Sequence, residues 1–188
     1  MSSAEELARA NLYGLLARLF YAPPDAALLQ AIAGETMQGE RLAAAWRELS
    51  HAAGTADPEA LRDEYDSRFV GTGKAPITLY TSAYTVRFTN EVPLAELRGE
   101  LAALGLSRRS GVHEPEDHIA ALCDTMRHLI AAQRELVEQE RFFNRWIAPA
   151  TEGLCNAIDN DPSTAFYRHV SRFARHFFQI EQSAFEML

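Results

Sequence analysis

Residues 166–180 read FYRHVSRFARHFFQI. Phe166, Val170, Phe173, Phe177 and Ile180 recur at steps of four, three, four and three. That spacing lays one apolar stripe along one face of an α-helix. A half-buried strand would alternate apolar and polar residues at every second position, and this stretch does not. Just ahead stands Asp161-Pro162, which predicts a helix start: a side-chain acceptor, then a residue with no N–H to satisfy.

Working outward, the same period returns almost everywhere. Ser3 and Glu6 make an S-x-x-E capping box. After it Leu7, Asn11, Leu12, Leu15, Leu16, Leu19 and Phe20 form a stripe that Pro23-Pro24 stops. A short helix carries Leu28, Leu29 and Ile32 and ends near Gly34. Another carries Leu42, Trp46 and Leu49. Asp57-Pro58 predicts a further N-cap, followed by Leu61, Tyr65 and Phe69. Pro93 opens a helix with Leu94, Leu97, Leu101 and Leu104 inward and Gly105 as its C′ residue. From Pro115 the spacing predicts the longest helix, with Ile119, Leu122, Met126, Leu129, Ile130 and Val137 buried. Phe142, Phe143, Trp146 and Ile147 begin another stretch, which Pro149 breaks or kinks before Leu154 and Ile158.

Periodicity fails at 70–82 and at 105–114, so these are the long loops where function is expected. ITLYTSAY (77–84) is β-rich, but one short strand makes no sheet. The expectation is a single all-α domain over 1–188, of roughly eight or more helices packed as a globule.

The chain has 188 residues, 47% hydrophobic and 23% charged, with a net charge of −8. This is the balance of a soluble globular domain. An acidic surface argues against nucleic acid, whose phosphates demand cations, and suits a basic partner. MSSAEELARA carries acids where a secretory leader carries lysines, and no apolar run is long enough to span a membrane. Cys123 and Cys155 are far apart and at helical core spacing. A cytoplasmic location is expected.

The densest chemistry is GVHEPEDHIA, residues 111–120. One reading is a helix entrance: Glu114 as N-cap, Pro115 first in the helix, Glu116 and Asp117 as acids of the first turn, favoured by the helix dipole. His118 is unexplained by it, because a cation there opposes the dipole. A metal reading takes His113, Glu114, Asp117 and His118. Its histidines are five apart with Pro115 between, so it fails the H-E-x-x-H template. GTGK (71–74) lacks the first glycine and the Ser/Thr of a phosphate loop. Arg108-Arg109 lies mid-chain in a polar loop and reads as a solvated pair. Tyr80 and Tyr84 flank Ser82 in an irregular segment, where aromatics often line grooves.

Three of these features stand together in a known family. EYDSRFVGTGKAPITLYTSAY (64–84) resembles the E-Y-x-x-L-F-x-G-x-G…S-x-Y block of the TorD/DmsD-like chaperones, relatives of the NarJ proteins. EPEDHI (114–119) is similar to their diagnostic E-P-x-D-H string. LYGLLARLFYAPP (12–24) and FYRHVSRFARHFF (166–178) look like their first and last helices. Arg68 departs from an apolar residue of the pattern, and Tyr80-Thr81 from a tryptophan found in some members.

The resemblance implies an all-α chaperone with N- and C-terminal parts joined by a hinge, cytoplasmic, with no catalysis and no cofactor. Its implied partners are the twin-arginine signal peptide and the apo form of a molybdopterin-containing reductase, held back from export until the cofactor is in place. It implies a peptide pocket lined by Glu114, Pro115, Asp117 and His118, with Ser82, Tyr84 and Tyr80 opposite. The acids suit guanidinium groups and the tyrosines suit an apolar segment. With long loops and a hinge, a monomer or a domain-swapped dimer is expected. The alternative of a different class is a small α-helical metal-dependent hydrolase using His113, Glu114, Asp117 and His118.

Overall fold

The computed structural model of the protein describes residues 4–37, 40–71, 74–85, 93–107 and 114–187. Its helices are α1 (Ala4–Tyr21), α2 (Ala26–Gly34), α3 (Glu40–Thr55), α4 (Pro58–Tyr65), α5 (Ser82–Thr85), α6 (Pro93–Ala103), α7 (Ile119–Ala131), α8 (Leu136–Trp146), α9 (Ala148–Asp159) and α10 (Phe166–Phe185). A π-helical turn, Asp66–Val70, continues α4. Among the described residues there is no β-strand, so the all-α expectation is borne out. Two compact units form, each from two stretches of chain: Met1–Ala17 with Leu79–Ala150, and Arg18–Thr78 with Thr151–Leu188.

In the second of these units local capping works as the sequence implies. Asp25 accepts from the N–H of Leu28 at 2.8 Å and starts α2. Asp57 accepts from Glu59 N–H, and Pro58 is the first residue of α4. Leu28, Leu29, Ile32, Leu61, Tyr65 and Phe69 are buried as their spacing predicts. Trp46 on α3 lies edge-on to Phe173 of α10, centroids 5.4 Å apart, and its indole N–H donates to the Glu35 carbonyl.

The start of α10 differs from expectation. Asp161-Pro162 makes a turn in which the Asp161 carboxylate accepts from Ser163 N–H. The helix begins only at Phe166. Its open N–H groups are met from another helix: Glu64 at the end of α4 accepts from Ala165, Phe166 and Tyr167 at 3.0, 3.1 and 2.9 Å. Next to it, the Tyr65 hydroxyl donates to the carbonyls of Phe20 and Tyr21, and the Tyr167 hydroxyl to that of Leu19. Arg68, which stands in place of an apolar residue, pairs with Asp161 at 3.5 Å.

In the unit containing residues 79–150, Gly105 takes φ +75° just past α6, and Leu106 N–H returns to the Leu101 carbonyl. This is the C′ role its position predicts. Leu97 and Leu101 are buried, and Leu94 and Leu104 only partly so. The long helix expected from Pro115 is shorter at both ends. It starts at Ile119 and stops at Ala131, where Gln133 takes φ +53° and Arg134 N–H bonds the Leu129 carbonyl. The break resets the phase of α8, so Val137 is 65% exposed rather than buried. Phe142, Phe143 and Trp146 close α8 instead of opening a helix, and Pro149 sits in the first turn of α9.

On α1, Leu7 is 59% exposed, while Ala10, Tyr13, Leu16, Ala17, Leu19 and Phe20 are buried. The expected stripe is thus rotated toward Tyr13. Gly14 beside it leaves room for Arg127, whose Cδ would lie 2.9 Å from a Cβ at that position. Ser3, Arg108-Arg109 and His113 lie outside the described residues. Cys123 and Cys155 are free and buried, as expected of core residues, and burial pushes the Cys155 thiol up to about 11.

Candidate functional site

The residues around 114–119 do not begin a helix as expected. Residues 115–118 instead form a turn, closed by His118 N–H on the Pro115 carbonyl, that lies beside residues 79–81. Thr81 N–H donates to the Asp117 carbonyl at 2.9 Å, and Ile119 N–H to the Leu79 carbonyl at 2.8 Å. Tyr80 and His118 form an isolated antiparallel bridge. The β-rich ITLYTSAY stretch therefore supplies one bridge, not a strand. Its partner is the E-P-E-D-H string itself.

The N-cap of α7 is His118, not Glu114. Its Nδ1 accepts from Ala120 N–H at 3.2 Å, and its carbonyl accepts from Ala121 and Leu122. A neutral imidazole can cap as a serine or aspartate does, because one ring nitrogen keeps a lone pair. The bond assigns the ring proton to Nε2 and resolves the conflict with the helix dipole. Burial lowers the basicity of His118, against the opposing pull of the Glu114 and Asp117 charges.

A pH effect on stability follows. Unfolded, the ring binds a proton near pH 6.5; folded, it resists. Its contribution is present above about pH 6.5 and lost as pH falls through the lowered folded value. Urea unfolding at pH 7.5, 6.5 and 5.5 is expected to show that loss before most carboxylates titrate. His118→Asn, whose amide oxygen can also cap, is expected to flatten it. An unchanged pH slope in the variant counts against His118 as the titrating group.

The hydrogen-bonded clasp is built from paired hydroxyls and carboxylates. Ser82, the first residue of α5, donates to Asp117 Oδ2 at 2.5 Å. The Tyr80 hydroxyl donates to Glu114 Oε2. The Tyr80 ring also stands edge-on to His118, centroids 5.4 Å apart at 82°. Burial, then the bond to Glu114, then the charges of Glu114 and Asp117 push the Tyr80 hydroxyl up to about 12, so it remains a donor throughout the neutral range. Asp117 is 5% and His118 7% exposed, whereas Glu114 is exposed. Pro115 is half-buried, and its carbonyl accepts from His118 N–H. Tyr84 rides two residues past Ser82 on α5, about 200° round the helix, and is also half-buried.

Five of the seven expected residues thus converge: Tyr80, Ser82, Glu114, Asp117 and His118. Two others join them that spacing did not reveal. Thr81 is buried and gives both its N–H and its hydroxyl to the Asp117 carbonyl. Arg98 on α6 reaches Glu116 Oε2 with Nε at 3.0 Å.

Ser, His and Asp stand together here without forming a nucleophilic triad. Ser82 donates directly to Asp117, and the free lone pair of His118 is occupied by its own helix. A triad needs that lone pair on the serine hydroxyl. Among the described residues no group of three or more His, Cys, Asp or Glu is placed to hold a metal ion. His118 Nδ1 and Glu114 Oε2 already accept protein hydrogen bonds, so nothing supports the hydrolase alternative.

A cavity of about 340 Å³ lies elsewhere, in the unit of residues 18–78 and 151–188. Asp57, Glu64 and His169 are among its walls, and none of the seven residues lines it. Asp57 and Glu64 are engaged as helix caps. No described helix is long and apolar enough to cross a membrane.

Comparison with known proteins agrees with this architecture. A family model described as the nitrate reductase delta subunit matches residues 38–179. The chain is similar over 95% of its length to 96% of a solved structure of a candidate redox enzyme maturation protein from Archaeoglobus fulgidus. The TM-score is 0.60 at 21% identity, a likeness of fold. No curated protein matches the chain.

Proposed function

The chain belongs to the nitrate reductase delta subunit family, and on that premise we propose that it is a non-enzymatic maturation chaperone for a redox enzyme. Its client is a molybdopterin-containing reductase, bound in the apo form through a twin-arginine signal peptide in the cytoplasm. Glu114, Asp117 and His118 with Pro115 make one wall of the peptide site, and Ser82, Tyr84 and Tyr80 the other. The observation that carries this reading is the clasp. Two carboxylates, one exposed and one buried, are fixed by the hydroxyls of Tyr80 and Ser82 across a backbone bridge. Fixed carboxylates beside aromatic surface match a basic head followed by an apolar segment.

Because the attraction is ionic, affinity for a synthetic twin-arginine leader peptide is expected to fall as salt rises. Calorimetric titration at low and high ionic strength measures it. Replacing both peptide arginines by glutamine is expected to remove the salt dependence along with most of the affinity. Binding that is indifferent to salt and to the arginines overturns the reading.

A further inference from the structure

We infer that Thr81 is a positioning residue of the peptide site: by holding the Asp117 carbonyl it orients the Asp117 carboxylate so that the site prefers arginine to lysine. This rests on the reading of that site given above.

Thr81 is 3% exposed, so it acts from beneath the surface. Its N–H and its hydroxyl both donate to the Asp117 carbonyl, at 2.9 and 3.2 Å. A carbonyl oxygen has two lone pairs, and this one residue supplies a donor for each. The hydroxyl keeps its direction because a β-branched side chain has few rotamers. Facing the other way, the Thr81 carbonyl accepts from Tyr84 N–H at 3.0 Å and from the Thr85 hydroxyl at 3.2 Å. Those bonds wind the chain into α5 and bring Ser82, the next residue, onto Asp117 Oδ2. One buried threonine thus fixes Asp117 at two ends, its backbone directly and its carboxylate through a neighbour. Ile119 N–H on the Leu79 carbonyl, and His118 as N-cap of α7, close the frame on the far side.

Orientation matters unequally to the two basic side chains. A guanidinium meets a carboxylate best with two parallel N–H groups in one plane, so it reads the direction in which the carboxylate points. A lysine ammonium is a compact point charge with rotatable donors and tolerates a loose carboxylate. A fixed Asp117 therefore selects arginine. A loosened one keeps its charge and loses the choice.

The experiment is calorimetric titration with a twin-arginine leader peptide and with the same peptide carrying lysine at both positions, beside a melting curve for each variant. Thr81→Val removes the hydroxyl and keeps the N–H, so the Asp117 carbonyl retains a donor. It is expected to bind the arginine peptide about threefold to tenfold more weakly than the parent protein. Affinity for the lysine peptide is expected to change by less than about twofold, so the preference for arginine shrinks. Thr81→Ser restores the hydroxyl and is expected to recover most of that preference. Thr81→Ala, smaller than valine and also without a hydroxyl, decides the matter should the valine variant not fold. An equal loss for both peptides is what a merely structural threonine gives, and it overturns the inference. So does a parent-like preference in the variants without a hydroxyl, a serine variant that behaves as they do, or a parent that binds both peptides alike. In each of those cases a parent that binds the arginine peptide leaves the reading of the site standing. A parent that binds neither peptide defeats both.

Discussion

Glu114→Gln combined with Asp117→Asn is expected to weaken twin-arginine peptide binding by tens- to thousandfold while the protein stays folded. The two amides keep the shape of the acids. Each retains an oxygen, so Tyr80 and Ser82 keep acceptors. What is lost is two negative charges, one of them 95% shielded from water. Removing one partner of a desolvated charge contact costs about 2–5 kcal/mol, or tens- to thousandfold in affinity. The clasp hydrogen bonds contribute about 1 kcal/mol each to the fold and survive in amide form. Leu122→Ala serves as the opposite control. It empties a fully buried position on α7 and should cost about 2–5 kcal/mol of stability. Melting curves beside peptide titrations read both quantities. If the double amide variant binds as the parent does, charge recognition at these acids is wrong. If it melts as early as Leu122→Ala, the clasp is structural.

Glu64→Ala is expected to be the most damaging change at a partly exposed position. One carboxylate satisfies three successive N–H groups at the start of the 20-residue α10. Its charge also meets the positive end of that helix. Loss of a cap costs about 0.5–2 kcal/mol, and loss of a charge at a helix terminus up to about 2 kcal/mol more. A total near 2–3 kcal/mol corresponds to a fall in Tm of about 4–12 °C for a chain of this size. Glu64→Gln retains an acceptor without the charge and should fall between. Calorimetric melting decides, and an alanine variant within about 2 °C of the parent removes Glu64 from this role.

Asp57-Pro58 and Gly105 were legible in the sequence because their roles close within four residues. Glu64 was not, because the N–H groups it caps lie a hundred residues downstream. Asp161-Pro162 carries the same local signal as Asp57-Pro58, yet the helix start it implies is displaced to Phe166 by that distant carboxylate. The end of α7 carries no glycine or proline. It is made by Gln133 adopting a left-handed backbone and by the Gln139 amide donating to the Arg134 carbonyl. A periodic reading runs straight through such a break and puts Val137 on the wrong face.

The cluster around Asp117 shows the same division. Glu114-Pro115-Glu116-Asp117 is a sound helix entrance by local rules, but residues 79–81 claim the neighbouring backbone and move the cap to His118. That Ser82 meets Asp117 came from resemblance to a family, since no spacing rule joins positions 35 apart. Arg98 had no signal at all; one arginine among several on amphipathic helices looks like solvated surface until its partner is seen.

The interleaving of the two units has a consequence for synthesis on the ribosome. Helix α3 presents Trp46 to Phe173, more than a hundred residues later in the chain, so α10 is made long after α3. Until residues 166–185 leave the exit tunnel, the apolar face of α3 is uncovered and the N-terminus of α10 is not there for Glu64 to hold. Neither unit can finish in vectorial order, and closing such long loops delays the final step. A nascent chain of this design passes through an incomplete, sticky intermediate before α10 docks on α3.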